Sequence, residues 1–178
     1  MDRVETYRCA GCGTEYRVLG EPTPKVTCRD CEREAALCGT AAARREYRIG
    51  YTKYREARRQ LSDAMSLADD GATALARGGF DDAAADFETS VSHFTTAVRE
   101  AEVESVAESA ERARKKATCL WQAVEWLSGM TFASEQGERL RARQHRHDAE
   151  NRLQAASEYG SLVAPDEAFP AAEAEPTA

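Results

Sequence analysis

The chain has 178 residues, with 24 Lys+Arg against 31 Asp+Glu and a formal charge of −7. That length suits one ordinary domain, or a small domain joined to a medium one. No run of about 18 apolar residues occurs, so no membrane span is expected, and the N-terminal MDRVETYRC lacks the apolar centre of a signal peptide. A cytoplasmic protein is expected, in a compartment that keeps thiols reduced and makes paired cysteines metal ligands rather than disulfides.

Local charge is more informative than the net value. Residues 39–59 carry seven basic and two acidic residues, net +5; residues 60–111 carry net −10, and residues 112–146 net +5. Such blocks on helices are usually solvated faces that pair with one another on folding.

In chain order, the first region is residues 1–38, with glycines, prolines and short β-like runs such as Glu15–Leu19. It contains Cys9-Ala-Gly-Cys12 and Cys28-Arg-Asp-Cys31, a C-x2-C pair, a spacer of fifteen residues, and a second C-x2-C pair. Each pair can grip one ion from a tight turn, and the spacer allows a hairpin that brings the second turn opposite the first. Tyr7 and Tyr16 are placed to cover the site. Residues 7–34 resemble the zinc-ribbon family, departing from its usual pattern at Glu32, where a glycine is common. The resemblance implies one structural Zn2+ on Cys9, Cys12, Cys28 and Cys31, and four thiolates leave no open position for catalysis. Rubredoxin-like iron and a redox dithiol are the alternatives. Cys38 is expected to be a buried or spare thiol, and Cys119, beside Leu120, a small core residue.

The second region, residues 43–160, contains no proline and has apolar positions at helical spacing. The expected fold class is mostly α, a small N-terminal β ribbon followed by a three- or four-helix antiparallel bundle. One stripe runs Tyr47, Tyr51, Tyr54, Leu61, Met65, Ala68, Ala72 and Leu75, with a stop expected at Gly78–Gly79. Asp81 and Asp82 would then begin the next helix. A second stripe runs Phe80, Ala84, Phe87, Val91, Phe94, Val98 and Ala101. A third runs Val106, Ala110, Ala113, Ala117, Leu120, Val124 and Leu127, its phase shifted by one position. No Gly or Pro marks 103–106, so 81–131 is either two helices or one with a skip. Ser134 is expected to cap a last helix over 135–158, with Leu140, Ala149, Leu153 and Ala156 as its core residues. Residues 161–178, acidic and proline-rich, are expected to be a disordered tail.

Residues 64–91 also resemble a tetratricopeptide repeat. Leu67, Gly71 and Ala74 would lie on its first helix, Gly78 and Phe80 at its turn, and Ala83, Phe87 and Ser90 on its second. That triad is echoed 34 residues later by Ala117, Trp121 and Val124, and 34 is the family's period. An ordinary helical hairpin with small residues is the other reading. Both imply the holding of another protein.

No catalytic centre is visible. The residues three before His93, His145 and His147 are Ser90, Ala142 and Gln144, so the Glu-x-x-His pairs of di-iron bundles are missing. No phosphate-cradling loop or activated nucleophile appears, and no small-molecule substrate is evident. Trp126, with Ala123 and Met130, forms a second apolar strip, either covered by the last helix or anchoring a partner. The function expected is a non-enzymatic zinc-binding adaptor whose helical module binds protein. The alternative is a small DNA- or RNA-binding regulator using Arg44, Arg45, Arg48, Arg112, Arg114, Lys115 and Lys116.

Overall fold

Short runs with alternating in-and-out side chains make strands, and the computed structural model, which describes residues 4–9, 11–19, 25–37 and 39–169, has four of them at its N-terminus. These are β1 (Val4–Cys9), β2 (Glu15–Leu19), β3 (Lys25–Thr27) and β4 (Glu34–Leu37). They form one antiparallel sheet in the order β2-β1-β4-β3. Tyr7 pairs with Tyr16 across β1 and β2, and Cys9 and Val26 both lie opposite Ala35. Tyr7, Cys9, Cys28 and Ala35 make a small core of their own, closed by Ala42 from the helix that follows.

That helix is α1 (Gly39–Asp69); α2 (Thr73–Glu100), α3 (Glu104–Glu135), α4 (Arg139–Ser157) and the single turn α5 (Pro165–Ala168) follow among the described residues. The protein is thus mostly α with an N-terminal β sheet. Three-residue connections force α1 to α4 into an up-and-down array in which each long helix packs chiefly on its chain neighbours. None of these helices is long and apolar enough to cross a membrane among the described residues.

The buried line of α2 is Ala76, Phe80, Ala83, Phe87, Ser90, Phe94 and Ala97. Its rings interlock with α1: Tyr54 meets Phe87 edge-on at 5.9 Å, and Tyr47 meets Phe94 at 5.2 Å. Ser90 is fully buried, and its hydroxyl donates to the Gly50 carbonyl at 2.8 Å. All seven residues of the third stripe are buried on α3, as their spacing predicts. The opposed charge blocks do meet, through Lys53–Asp86 at 2.9 Å between α1 and α2.

Several expectations are corrected. The first helix ends at Asp69, not at Gly78–Gly79. Gly71 takes φ +79°, and the Ala72 and Gly71 amides donate back to the Leu67 and Ala68 carbonyls, a Schellman closure that needs a residue free to be left-handed. Gly79 serves packing instead: a Cβ there would lie 2.9 Å from the Ala64 Cβ. Asp81 and Asp82 therefore sit inside α2. The tetratricopeptide-like hairpin expected at 64–91 does not form, because its turn lies at 70–72 and α2 alone runs 28 residues, most of a 34-residue period. Leu75 and Met65 consequently face out, 68% and 43% exposed.

The one-position phase shift does mark a break, at 101–103, and separates α2 from α3. Ser134 caps nothing. It lies in α3 with its hydroxyl on the Met130 carbonyl, and Gly137, φ +74°, closes that helix with a second Schellman pair to Ala133 and Ser134. On α4, Ala149 and Ala156 are buried and Leu153 partly so, but Leu140 is 81% exposed.

The expected disordered tail is also corrected where the chain is described. Residues 161–169 return along α1: the Tyr47 hydroxyl donates to the Val163 carbonyl at 2.8 Å, and Phe169, 4% exposed, packs edge-on against Tyr47 at 5.4 Å. Proline-rich composition hid one large apolar anchor. Residues 170–178, like Cys38 and the expectation for it, lie outside the described residues.

Two substitutions test this packing. Phe87→Ala should lower unfolding free energy by roughly 3–5 kcal/mol, because the lost ring leaves a cavity between close helices. Phe169→Ala should cost about 3 kcal/mol if the C-terminal segment is docked, and close to nothing if it is not. Circular dichroism melts and urea titrations measure both, and an unchanged Phe169→Ala midpoint would return this segment to the solvent.

Candidate metal centre

Two turns of the same construction carry the cysteines. In the first, the Cys9 amide donates to the Thr14 carbonyl at 3.0 Å and the Gly13 amide returns to the Cys9 carbonyl at 2.9 Å. In the second, the Cys28 amide donates to Arg33 at 2.7 Å and the Glu32 amide to Cys28 at 3.0 Å. Each turn needs one residue in the left-handed region, Gly13 at φ +75° and Glu32 at φ +56°. The missing glycine at position 32 thus leaves the turn intact and places a Cβ-bearing residue where it is strained, by roughly 1–2 kcal/mol.

The strand register brings the turns face to face. Cys9 and Cys28 are buried, Cys31 is half-buried and Cys12 exposed. The sulfur of Cys9 lies 3.5 Å from that of Cys31, Cys12 lies 3.6 Å from Cys28, and Cys28 lies 3.5 Å from Cys31. All four fall within 4.8 Å of one another. A tetrahedral ion with metal–sulfur bonds of about 2.3 Å separates its ligands by about 3.8 Å, so the spacing fits a four-thiolate site. The donor set fits as well: the Gly11 amide donates to Cys9 Sγ at 3.3 Å, as it would to a charged sulfur.

Protonation divides this cluster: Cys28 and Cys12 are drawn toward the thiolate, whereas at Cys31 the lowering by the Arg33 backbone is outweighed by Cys9, Cys28 and burial, which push the thiol up to about 12. Burial opposes the Cys28 thiolate, yet the Tyr16 hydroxyl and the backbone at Asp30 and Cys31 outweigh it and draw the thiol down to about 6. Tyr16 Oη sits 2.6 Å from Cys28 Sγ and 3.1 Å from Asp30. Accepting partners hold its own proton firmly, Cys28 foremost. Thr14 lowers Cys12 in the same way. Sulfurs this close cannot all ionise unaided, and a bound cation replaces their protons. The four cysteines are therefore positioned to hold a metal ion, as their spacing predicts; Tyr16 covers the site directly, whereas Tyr7 lies in the core beneath it. Cys119 is partly buried on α3, apart from the cluster.

The other candidate residues fare differently. Ala123 is fully buried and cannot touch a partner, because the α3 face that carries it turns inward. Met130 is partly buried against the core. Trp126, 37% exposed, lies against the tilted His145 ring of α4 at 5.1 Å, so the last helix covers part of it. The basic set does not form one surface. Arg44 lies over the Phe169 ring, Arg45 pairs with Glu46, and Arg48 with Asp166. Arg112 is exposed, and Arg114 and Lys115 share Glu111. Lys116 is buried, its ammonium donating to the Gly160 carbonyl. Sequence reasoning missed the roles of Arg44, Arg48 and Lys116 because their partners lie in the chain after α4, which it left unpacked.

Each of Cys9→Ser, Cys12→Ser, Cys28→Ser and Cys31→Ser should abolish stoichiometric metal in elemental analysis, while Cys38→Ser and Cys119→Ser keep it. A requirement for Cys38 would overturn the ligand set. Because binding displaces protons, affinity should weaken as pH falls. Glu32→Gly should relieve the left-handed strain and stabilise the metal-bound sheet by about 1 kcal/mol; a loss of stability there would refute the strain at that turn.

No protein-family model, curated protein or solved structure matches the chain, so what the centre does is argued from its geometry.

Proposed function

We propose that the chain is a non-enzymatic zinc-ribbon adaptor: Cys9, Cys12, Cys28 and Cys31 hold one structural zinc, and the helical module holds a protein partner. The observation that carries this reading is the convergence of four sulfurs at tetrahedral spacing. Zinc is the natural occupant, since four thiolates in a closed tetrahedron suit an ion without redox chemistry, and a closed shell supports folding rather than catalysis. The reducing cytoplasm is the compartment that keeps such thiols available. The basic residues that would serve nucleic acid are divided among Glu46, Glu111, Asp166 and the C-terminal segment, which favours a protein partner over a phosphate backbone.

The immobilised chain, metal-loaded, should capture a protein from native extract, and capture should survive nuclease and moderate salt. Purified chain should contain one zinc and no iron. Nuclease-sensitive capture that disappears when Arg44, Arg45 and Arg48 are replaced together would put the DNA- or RNA-binding reading in its place, since counterion release makes phosphate binding fall steeply with salt.

A further inference from the structure

Between α1 and α4, floored by α3, the array leaves an open groove of about 450 Å3. Its apolar lining comes from Leu61 and Met65 of α1, Leu120 of α3 and Leu153 of α4. Met65 is 43% exposed there, a large side chain that the neighbouring helices leave uncovered. Two cations line the same groove, Arg58 and Lys116. Among the described residues Arg58 bonds only to the Tyr54 hydroxyl, at 3.4 Å, and Lys116 only to the Gly160 carbonyl. Among the described residues no carboxylate lies within ion-pairing distance of either. Lys116 is more than nine-tenths buried and has no described carboxylate to neutralise it. Burial, with Arg58 close by, holds its ammonium below the usual lysine range.

An apolar floor with an uncompensated positive pair selects an occupant that is apolar on one side and anionic on the other. A small molecule is disfavoured by shape, because sites for free ligands bury about 70–90% of the ligand, and exposed Arg58, Ser62, Met65 and Ser157 leave this trough open along its flank. Nucleic acid is disfavoured by count, since two cations are few for a phosphate backbone. We infer that the groove seats an acidic, amphipathic helix of a partner protein, with aliphatic side chains on Leu61, Met65, Leu120 and Leu153 and a Glu or Asp carboxylate on Arg58 and Lys116. The occupant lies where α1 and α4 fail to meet, and packs as a helix in a groove does. This inference rests on the adaptor reading and names its docking surface, away from Trp126.

The probe is a fluorescein-labelled helical peptide of about four turns, with Leu at the i, i+4 and i+7 positions and Glu on the flank, followed by anisotropy with the full chain. A second peptide carries Gln for every Glu. The Glu peptide should bind saturably and at least about tenfold more tightly than the Gln peptide, a difference of about 1.4 kcal/mol. Arg58→Glu and Met65→Glu, both at exposed positions, should each weaken the Glu peptide by about tenfold or more while leaving the melting temperature within about 2 °C. No saturable binding up to about 1 mM, equal affinity for the two peptides, or variants that bind as the parent does would each overturn the groove. So would saturable binding of decanoate at the groove with no binding of the Glu peptide, which would mark a site for a free amphiphile. Capture of a protein partner that persists unchanged in Arg58→Glu and Met65→Glu would sink this surface while leaving the adaptor reading intact; absence of any partner would sink both.

Discussion

The backbones of α1 and α2 come so close that a methyl group at position 79 would press on Ala64, while Gly50 lies under the Phe94 ring. Ser90 can reach the Gly50 carbonyl only because of that approach. Small residues therefore set the distance between the helices, and the aromatic side chains of Tyr47, Tyr54, Phe80, Phe87 and Phe94 fill what remains. Buried area per alanine is small, so cohesion depends on how many such contacts are made and how tightly they fit. Everything else is arranged around this pair: α3 lies on the same buried line of α2, and α1 offers its flank both to the sheet, through Ala42, and to the C-terminal segment.

The sheet solves a different problem. Four sulfurs in contact would repel once ionised, and nothing in so small a core can absorb that charge. Two turns of equal construction aim them at one point, and the neighbours offered to them are donors: the Gly11 amide and the Tyr16 and Thr14 hydroxyls. Thr14 accepts from Cys12 when that thiol is protonated, so its hydroxyl serves either state. A site furnished in this way is prepared for a cation, and its two turns remain interchangeable in shape although one uses glycine and the other glutamate.

The C-terminal segment ties together parts of the molecule that the array alone leaves apart. It takes hydrogen bonds from α1 through Tyr47 and Arg44 and, at Gly160, one from α3 through Lys116, and it seats Phe169 beside Tyr47. By engaging Arg44 and Arg48 it draws two cations of α1 away from a common surface, while Lys116 still lines the groove beside Arg58. Farther along α1 the same side is left open, which is where the groove lies. Closure of one half of this face and openness of the other have the same cause, the length of α4 and the path the chain takes after it.

The sequence by itself determined the four-cysteine cluster, the sheet-then-helices order and the buried face of α3. Cysteine spacing reports local turn geometry, and apolar periodicity reports which face of a helix is inward; neither needs a partner to be read. It showed a phase shift near 103–106 but left open whether one helix or two carried it; the tertiary structure places the break at 101–103. What it did not decide was the use of each glycine. Gly71 and Gly79 look alike in sequence, but one bends the chain through a left-handed residue and the other admits a neighbouring helix. Only the tertiary structure distinguishes them, because the requirement at Gly79 comes from Ala64 on another element. The same holds for Phe169, Lys116 and Ala123: their surroundings are assembled from distant segments, and burial is a property of that assembly.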